Sequence, residues 1–257
     1  MELLLAAAEA AADVAAAVVR PLFRTGVGAD TKSDQSPVTV ADRDAEQAMR
    51  AVLQQRFPEH GILGEEFGLD RPNARLRWVL DPVDGTRAFL TGRPLFGTLI
   101  GLLDGATPIL GLLDQPITGE RWIGLAGQKT RFIGRYGRAG CRPCARLGDA
   151  ELSCTSPDLL SPAQSDAFRR VQGAARRTSW GGDCYGYGLL ALGGIDVIVE
   201  PGLKLWDWAA LLPIVEGAGG LMRDWRGQAL HPEGDGNVVA VGDRALLPQV
   251  VALLEGS

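Results

Sequence analysis

Residues 78–86, Trp-Val-Leu-Asp-Pro-Val-Asp-Gly-Thr, restrict this chain more tightly than any other stretch of it. An apolar run leads into Asp81-Pro82. A residue before proline is pushed toward extended geometry, so Asp81 is predicted at the end of a strand. Pro82 is predicted to fix a turn, Asp84 re-enters after it, and Gly85-Thr86 permits a sharp passage into a helix. Two carboxylates on one rigid turn repel each other unless positive charge lies between them. An all-oxygen site of this kind suits a hard divalent cation such as magnesium. The amides of Gly85 and Thr86, at a helix start, are candidates to hold a phosphate. Read alone, the same segment also describes an Asp-rich turn before a capped helix.

Three further acidic segments bear on that choice. In Leu203-Lys204-Leu205-Trp206-Asp207-Trp208 a lone carboxylate opens an otherwise apolar helix. Asp207 either caps that helix, an interaction worth about 1 kcal/mol, or faces a cation. Gly64-Glu65-Glu66-Phe67-Gly68 puts adjacent carboxylates after a short apolar strand, as a ligand and a base or as solvated glutamates in a turn. The stretch from Val38 to Glu46, with Asp42 and Asp44, reads as a strand running into a helix; most acids in such a first turn complement the helix dipole.

Histidine is scarce. The chain has only His60 and His231, neither at ligand spacing from another His or Cys, so zinc is disfavoured. The four cysteines include Cys141-x-x-Cys144, read here as reduced thiols. Cys141 has Leu147 where a Cys-x5-Arg phosphatase loop needs Arg, and Asp81 and Asp84 lie too far apart for an Asp-x-Asp pair. There is no Gly-x-Ser-x-Gly elbow and no Walker loop. With 46% hydrophobic and 22% charged residues and a net charge of -5, the composition is that of a globular protein without a basic footprint for nucleic acid. No run approaches the ~20 apolar residues of a membrane span. The Ala-rich start is broken by Glu2, Glu9 and Asp13, and is predicted to be an amphipathic helix of a cytoplasmic protein rather than a signal peptide.

The predicted organisation begins with a helix over 2–24 and a loop containing Ser33, Asp34, Ser36 and Pro37. A helix from Ala41 to the Pro58 stop follows, with Arg43, Glu46, Arg50 and Gln54 on its polar face. Strands are expected at 61–63, 77–80, 95–103, 108–113, 121–125 and 130–133, the middle two joined by an Asp104-Gly105 hairpin. Residues 136–150 read as a crossover. Beyond it strands and helices alternate, including one helix over 206–215 kinked by Pro213. Two parts are expected: 1–145, an α+β half with an antiparallel sheet and most metal ligands, and 146–257, an α/β half with substrate-side residues and Asp207.

Gly64-Glu65-Glu66, Asp81-Pro-Val-Asp84-Gly-Thr86, Trp206-Asp207-x-Ala209-Ala210 and Glu216-Gly-Ala-Gly219-Gly220, with Val38-Thr-x-Ala-Asp42 upstream, resemble the signatures of the inositol monophosphatase superfamily in order. The resemblance covers about residues 36–242. Within it, Asp84-Gly-Thr-Arg87-Ala-Phe-Leu-Thr-Gly-Arg93-Pro94, Leu113-Asp-Gln-Pro116 and Trp180-Gly-Gly-Asp183-Cys184-Tyr185-Gly-Tyr187 resemble the histidinol-phosphate phosphatase branch. Leu203-Lys204-Leu205-Trp206 departs from that branch's Leu-Lys-Pro-Tyr toward the general family.

The resemblance implies an α/β (α+β) fold, a layered α-β-α-β-α sandwich, and often a homodimer. It implies that Glu65, Asp81, the Val83 carbonyl, Asp84 and Asp207 hold magnesium, two or three ions in all, with Asp42 reaching an outer ion through water. It further implies that Thr86 and Glu65 orient and deprotonate the attacking water, and that the Gly85 and Thr86 amides bind phosphate. Asp183 and Glu200, with Asp207, are the substrate-side candidates, since acidic groups suit the cationic amine and imidazole of histidinol. The expected reaction is hydrolysis of a small phosphate monoester, L-histidinol phosphate in histidine biosynthesis, by in-line attack of water without a phospho-enzyme. Inositol phosphate and 3′-phosphoadenosine 5′-phosphate are alternative substrates. A non-catalytic ligand-binding regulator is the alternative of another kind, and it predicts damaged metal positions.

Overall fold

The computed structural model describes residues 1–31 and 37–256. The predicted loop residues Ser33, Asp34 and Ser36 lie outside the described residues, and Pro37 opens a strand. In chain order the first part runs α1 (Glu2–Leu22), β1 (Ala29–Thr31), β2 (Pro37–Thr39), α2 (Val40–Arg56), β3 (Gly61–Gly64), β4 (Gly68–Asp70), β5 (Leu76–Asp84), α3 (Thr86–Leu90), β6 (Gly97–Asp104), β7 (Thr107–Gln115), β8 (Glu120–Leu125) and β9 (Arg131–Ile133). The remainder runs β10 (Glu151–Cys154), α4 (Pro162–Ala174), β11 (Arg177–Trp180), α5 (Asp183–Leu190), β12 (Val197–Glu200), α6 (Leu205–Trp208), α7 (Leu211–Gly217), β13 (Leu221–Asp224), β14 (Val238–Val241) and α8 (Leu247–Glu255).

Strands β4-β3-β5-β6-β7-β8-β9 form a seven-stranded sheet, antiparallel throughout except for the parallel pair β3 and β5. Strands β11-β10-β12-β14-β13 form a five-stranded mixed sheet. Side chains alternate between faces along a strand, and each face finds cover. Trp78, Leu80, Ile100, Leu102, Leu110 and Leu112 pack against α1 and α2. Val79, Leu99, Leu103, Leu113 and Trp122 face the other way, onto α5, α6 and α7, which also meet Ile198, Val238 and Ala240 of the second sheet. Val197, Val199, Val239 and Val241 turn outward beneath α4 and α8. The result is the expected α-β-α-β-α stack. Strands buried on both faces read as continuous apolar runs, which is why β6 and β7 lack a polar-apolar alternation.

Local chemistry sets the helix starts. Thr39 caps α2 in a capping box: its hydroxyl accepts from the Ala41 amide at 3.1 Å, and Asp42 Oδ2 accepts from the Thr39 amide at 2.8 Å. Ser161 and Gln164 form the same device on α4, with Pro162 where its missing N–H costs nothing. Helix α1 buries a stripe of small residues, Ala7, Ala8, Ala11, Ala12, Ala15 and Ala16, and is pinned to the sheet by the ion pairs Arg121–Asp13 and Arg131–Glu9.

Three expectations need correction. Strand β5 does not stop at Asp81. It continues to Asp84 through a bulge, one residue longer on β5 than on β6, where Pro82 has no N–H to give and its carbonyl accepts from the Thr98 hydroxyl at 2.8 Å. Residues 206–215 are two helices, α6 and α7, broken at Ala209-Ala210. Pro213 is the third residue of α7, where no intrahelical N–H is needed, so it does not kink a longer helix. Glu46, predicted on the polar face of α2, is fully buried.

The break between α6 and α7 fits a trench of glycines. Gly101 pairs with Gly111 and Gly111 with Gly124 across β6, β7 and β8. A Cβ on Gly111 would lie 1.8 Å from the Ala210 carbonyl oxygen, and one on Gly124 would lie 2.3 Å from the Pro213 carbonyl carbon. The backbone after Asp207 therefore rests directly on the sheet.

Candidate active site

The bulge of β5, the start of α3, the start of α5 and the start of α6 surround one cavity of about 260 Å³. Glu65, Asp84, Gly85, Thr86, Asp183, Glu200 and Asp207 all border it, as do Thr155, Cys184 and Tyr187. One carboxylate oxygen from each of Asp81, Asp84 and Asp207 lies within 4.8 Å of the others. Asp207 does this while also capping α6 from its third position, its Oδ2 accepting from the Lys204 amide at 2.7 Å. Glu65 stands beside the three, its amide bound to the Leu80 carbonyl at 3.2 Å and its charge acting on Asp81 and Asp84.

Asp81 is fixed by its own turn, Oδ1 accepting from the Val83 amide at 3.1 Å. Asp84 Oδ2 accepts from the Cys184 amide at 2.6 Å, tying the bulge to α5. Burial, followed by the charges of Glu65, Asp84, Asp207 and Asp42, holds the Asp81 carboxyl well above the usual range. Burial and then Asp207 raise Asp84 to about 7, against the opposing hydrogen bonds from Cys184. Acids crowded this closely either keep protons or share a cation. The donors are all oxygens, lie within 4.8 Å of one another and come from acidic side chains, which fits a hard divalent ion. Neither histidine borders the cavity, and all four cysteines are free thiols.

Thr86 opens α3 behind Gly85, whose φ of +87° and 3.0 Å approach to Asp183 leave no room for a side chain. The Thr86 hydroxyl lies 3.2 Å from both Asp42 Oδ1 and the Val83 carbonyl. Asp42 is buried; its Oδ2 takes hydrogen bonds from the Thr39 amide and hydroxyl, while its Oδ1 meets Thr86 and its charge acts on Asp81. The Val83 carbonyl accepts from that same hydroxyl.

Beside Gly85, Asp183 takes a φ of +44°, an uncommon conformation for a residue with a Cβ. Burial and then Asp84 raise its carboxyl to about 7, with Arg87 and Arg93 opposing. Glu200 is 3% exposed, and its Oε1 accepts from the Thr155 amide at 2.7 Å. Burial raises it also to about 7. Sequence reasoning assigned no role to Thr155, or to Arg87 and Tyr187 beyond their place in a motif. Thr155 follows a strand with no distinctive neighbour, and only the tertiary pairing of β10 with β12 brings it to Glu200.

The chain matches the model of the inositol monophosphatase family over residues 1–257. It is 44% identical to the bifunctional phosphatase IMPL2 of Arabidopsis thaliana, over 97% of this chain and 74% of that protein. It is 35% identical to a histidinol-phosphatase of Chlorobaculum parvum, over 82% of this chain and 81% of that one. The solved structure of an inositol monophosphatase from Zymomonas mobilis superposes with a TM-score of 0.88 at 50% identity, covering 97% of this chain and 96% of that one. Motif order, layered fold, clustered carboxylates and sequence kinship agree, and the chain belongs to the inositol monophosphatase family.

Proposed function

We propose that this chain is a magnesium-dependent histidinol-phosphate phosphatase, converting L-histidinol phosphate and water to L-histidinol and phosphate. The observation that carries the reading is one small cavity rich in acid: Glu65, Asp84, Asp183, Glu200 and Asp207 border it, and Asp81 stands with Asp84 and Asp207. The cluster of Asp81, Asp84 and Asp207 suits divalent cations and, through them, a phosphate. Asp183 and Glu200 suit a cationic amine or imidazole, which a neutral polyol lacks.

In this reading Glu65, Asp81, the Val83 carbonyl, Asp84 and Asp207 hold two or three Mg²⁺ ions. When bound, the ions supply positive charge that acidifies a water and neutralises the phosphate and the leaving oxygen. The Thr86 hydroxyl donates to Asp42 or to the Val83 carbonyl, which leaves its lone pairs to accept from the attacking water. Glu65 takes that water's proton. The Gly85 and Thr86 amides face the phosphate, and Asp42 reaches an outer ion through water. Asp183 and Glu200 receive the amine and imidazole. The working form is a cytoplasmic homodimer in this reading, and light scattering on the purified chain checks the dimer.

Phosphate release from L-histidinol phosphate, inositol 1-phosphate and 3′-phosphoadenosine 5′-phosphate, each with and without magnesium, tests the reading. Histidinol phosphate is expected to give the highest kcat/KM, and only with the metal present. A second reading, inositol phosphate as the preferred substrate, draws on the 50% identity to the Zymomonas mobilis inositol monophosphatase. A higher kcat/KM for inositol phosphate would establish it and defeat the first.

A further inference from the structure

Glu46 is a buried carboxylate outside the cavity, and its partners surround the residue that presents Glu65. Its Oε2 accepts from the Glu66 amide at 2.7 Å, and its Oε1 from the Phe67 amide at 3.3 Å and Arg50 Nε at 2.7 Å. Arg50 continues to the Gly68 carbonyl. Glu46 leaves no room above Gly64, where an added Cβ would lie 1.9 Å from Oε1. The amide of Glu65 itself is bound to the Leu80 carbonyl of β5. The peptide units on both sides of the Glu65 Cα are thus anchored, one to the sheet and one to α2. Removing a carboxylate from water is costly unless it is paired and hydrogen-bonded, and here an arginine and two amides supply the pairing.

Asp42 lies one turn earlier on the same helix and is also buried. It meets Thr86, so two carboxylates on one face of α2 reach the two segments that carry Thr86 and Glu65. We propose that Glu46 is a positioning residue that sets the Glu65 carboxylate for metal binding, with α2 as a common bracket for Glu65 and Thr86. The inference rests on Glu65 being a magnesium ligand.

The test is Mg²⁺ titration calorimetry on the metal-free full chain, comparing Glu46→Gln, Glu65→Gln and the double variant. Glu46→Gln is expected to weaken Mg²⁺ binding about 10-fold or more, the scale of groups that orient a ligand. The double variant is expected to bind within about twofold of Glu65→Gln alone, because Glu46 acts only through Glu65. Affinity of Glu46→Gln within twofold of the parent overturns the proposal. So does a double variant weakened by the full product of the two single effects, since that marks a general structural role. Unchanged affinity in Glu65→Gln overturns the metal reading of Glu65 itself and the inference with it. If Glu46→Gln shows no cooperative melting transition, Arg50→Met takes its place. A loss of threefold or more that vanishes in the Glu65→Gln background supports the bracket, and no loss overturns it.

Discussion

Asp207 shows how one side chain can serve two ends. The oxygen that accepts from the Lys204 amide fixes the start of α6, and the fixed carboxylate then stands with Asp81 and Asp84. The neighbouring charges make these residues expensive in the absence of a cation. Asp81→Asn keeps an acceptor for the Val83 amide but removes a buried charge. It is expected to lower turnover at least about a hundredfold, the upper range for groups that only orient a ligand. The same variant is expected to raise the melting temperature of the metal-free protein at pH 8, read by calorimetry. Glu200 offers a pH signature. Its carboxyl rises from an ordinary 4.5 to about 7 in the fold, so the folded state holds the proton more tightly. Below 4.5 both states are protonated and burial exacts nothing; stability then falls as pH climbs to 7 and levels off above it. The loss amounts to about 3 kcal/mol. Denaturant melts of Glu200→Gln should therefore match the parent near pH 4 and exceed it above pH 7. Its kcat/KM for histidinol phosphate should drop about tenfold or more as a charged contact is lost.

At the scale of elements, the glycine trench is what lets α6 and α7 sit close enough to bring Asp207 to β5. Gly111→Ala would drive a methyl into the Ala210 carbonyl, whereas Gly101→Ala would meet the Ala210 amide at 3.2 Å. The first is expected to cost about 3 kcal/mol or more and to weaken Mg²⁺ binding; the second is expected to cost less. Thermal melts and Mg²⁺ titrations of both variants check the order. Much of this level was readable in advance. Strand and helix positions follow from runs of apolar residues and from Pro and Gly stops, and the Asp81-to-Thr86 motif is local enough to declare itself. The misreadings are equally physical. A charge at Glu46 implies solvent, but Arg50 on the same helix and the amides of the turn after β3, brought alongside α2, give that charge its buried partners. The break after Asp207 was invisible because an apolar run does not say how near the sheet its backbone must come.

For the whole molecule, the carboxylates that converge come from far apart in sequence, Asp81 and Asp84 from β5 of the larger sheet and Asp207 from α6 in the central helical layer. Spacing along the chain does not encode that convergence, which is why the site could be named as motifs but not as a geometry. A cation held among them binds the folded chain and not the unfolded one. Magnesium at about a hundred times its Kd is expected to add about 2.7 kcal/mol to the unfolding free energy. Calorimetric scans with magnesium and with a chelator should show the difference, and Asp207→Asn should shrink it.

The hydrogen bond from the Cys184 amide to Asp84 has one more implication. Cys184 follows Asp183 directly, so the acid that would greet the substrate's far end and the amide that steadies a metal-side carboxylate share a single splice of backbone. Retuning appetite for a new phosphate ester at position 183 would therefore tug on the reaction centre as well. Glu200 hangs from β12, so a substitution there would leave the tie between Cys184 and Asp84 untouched.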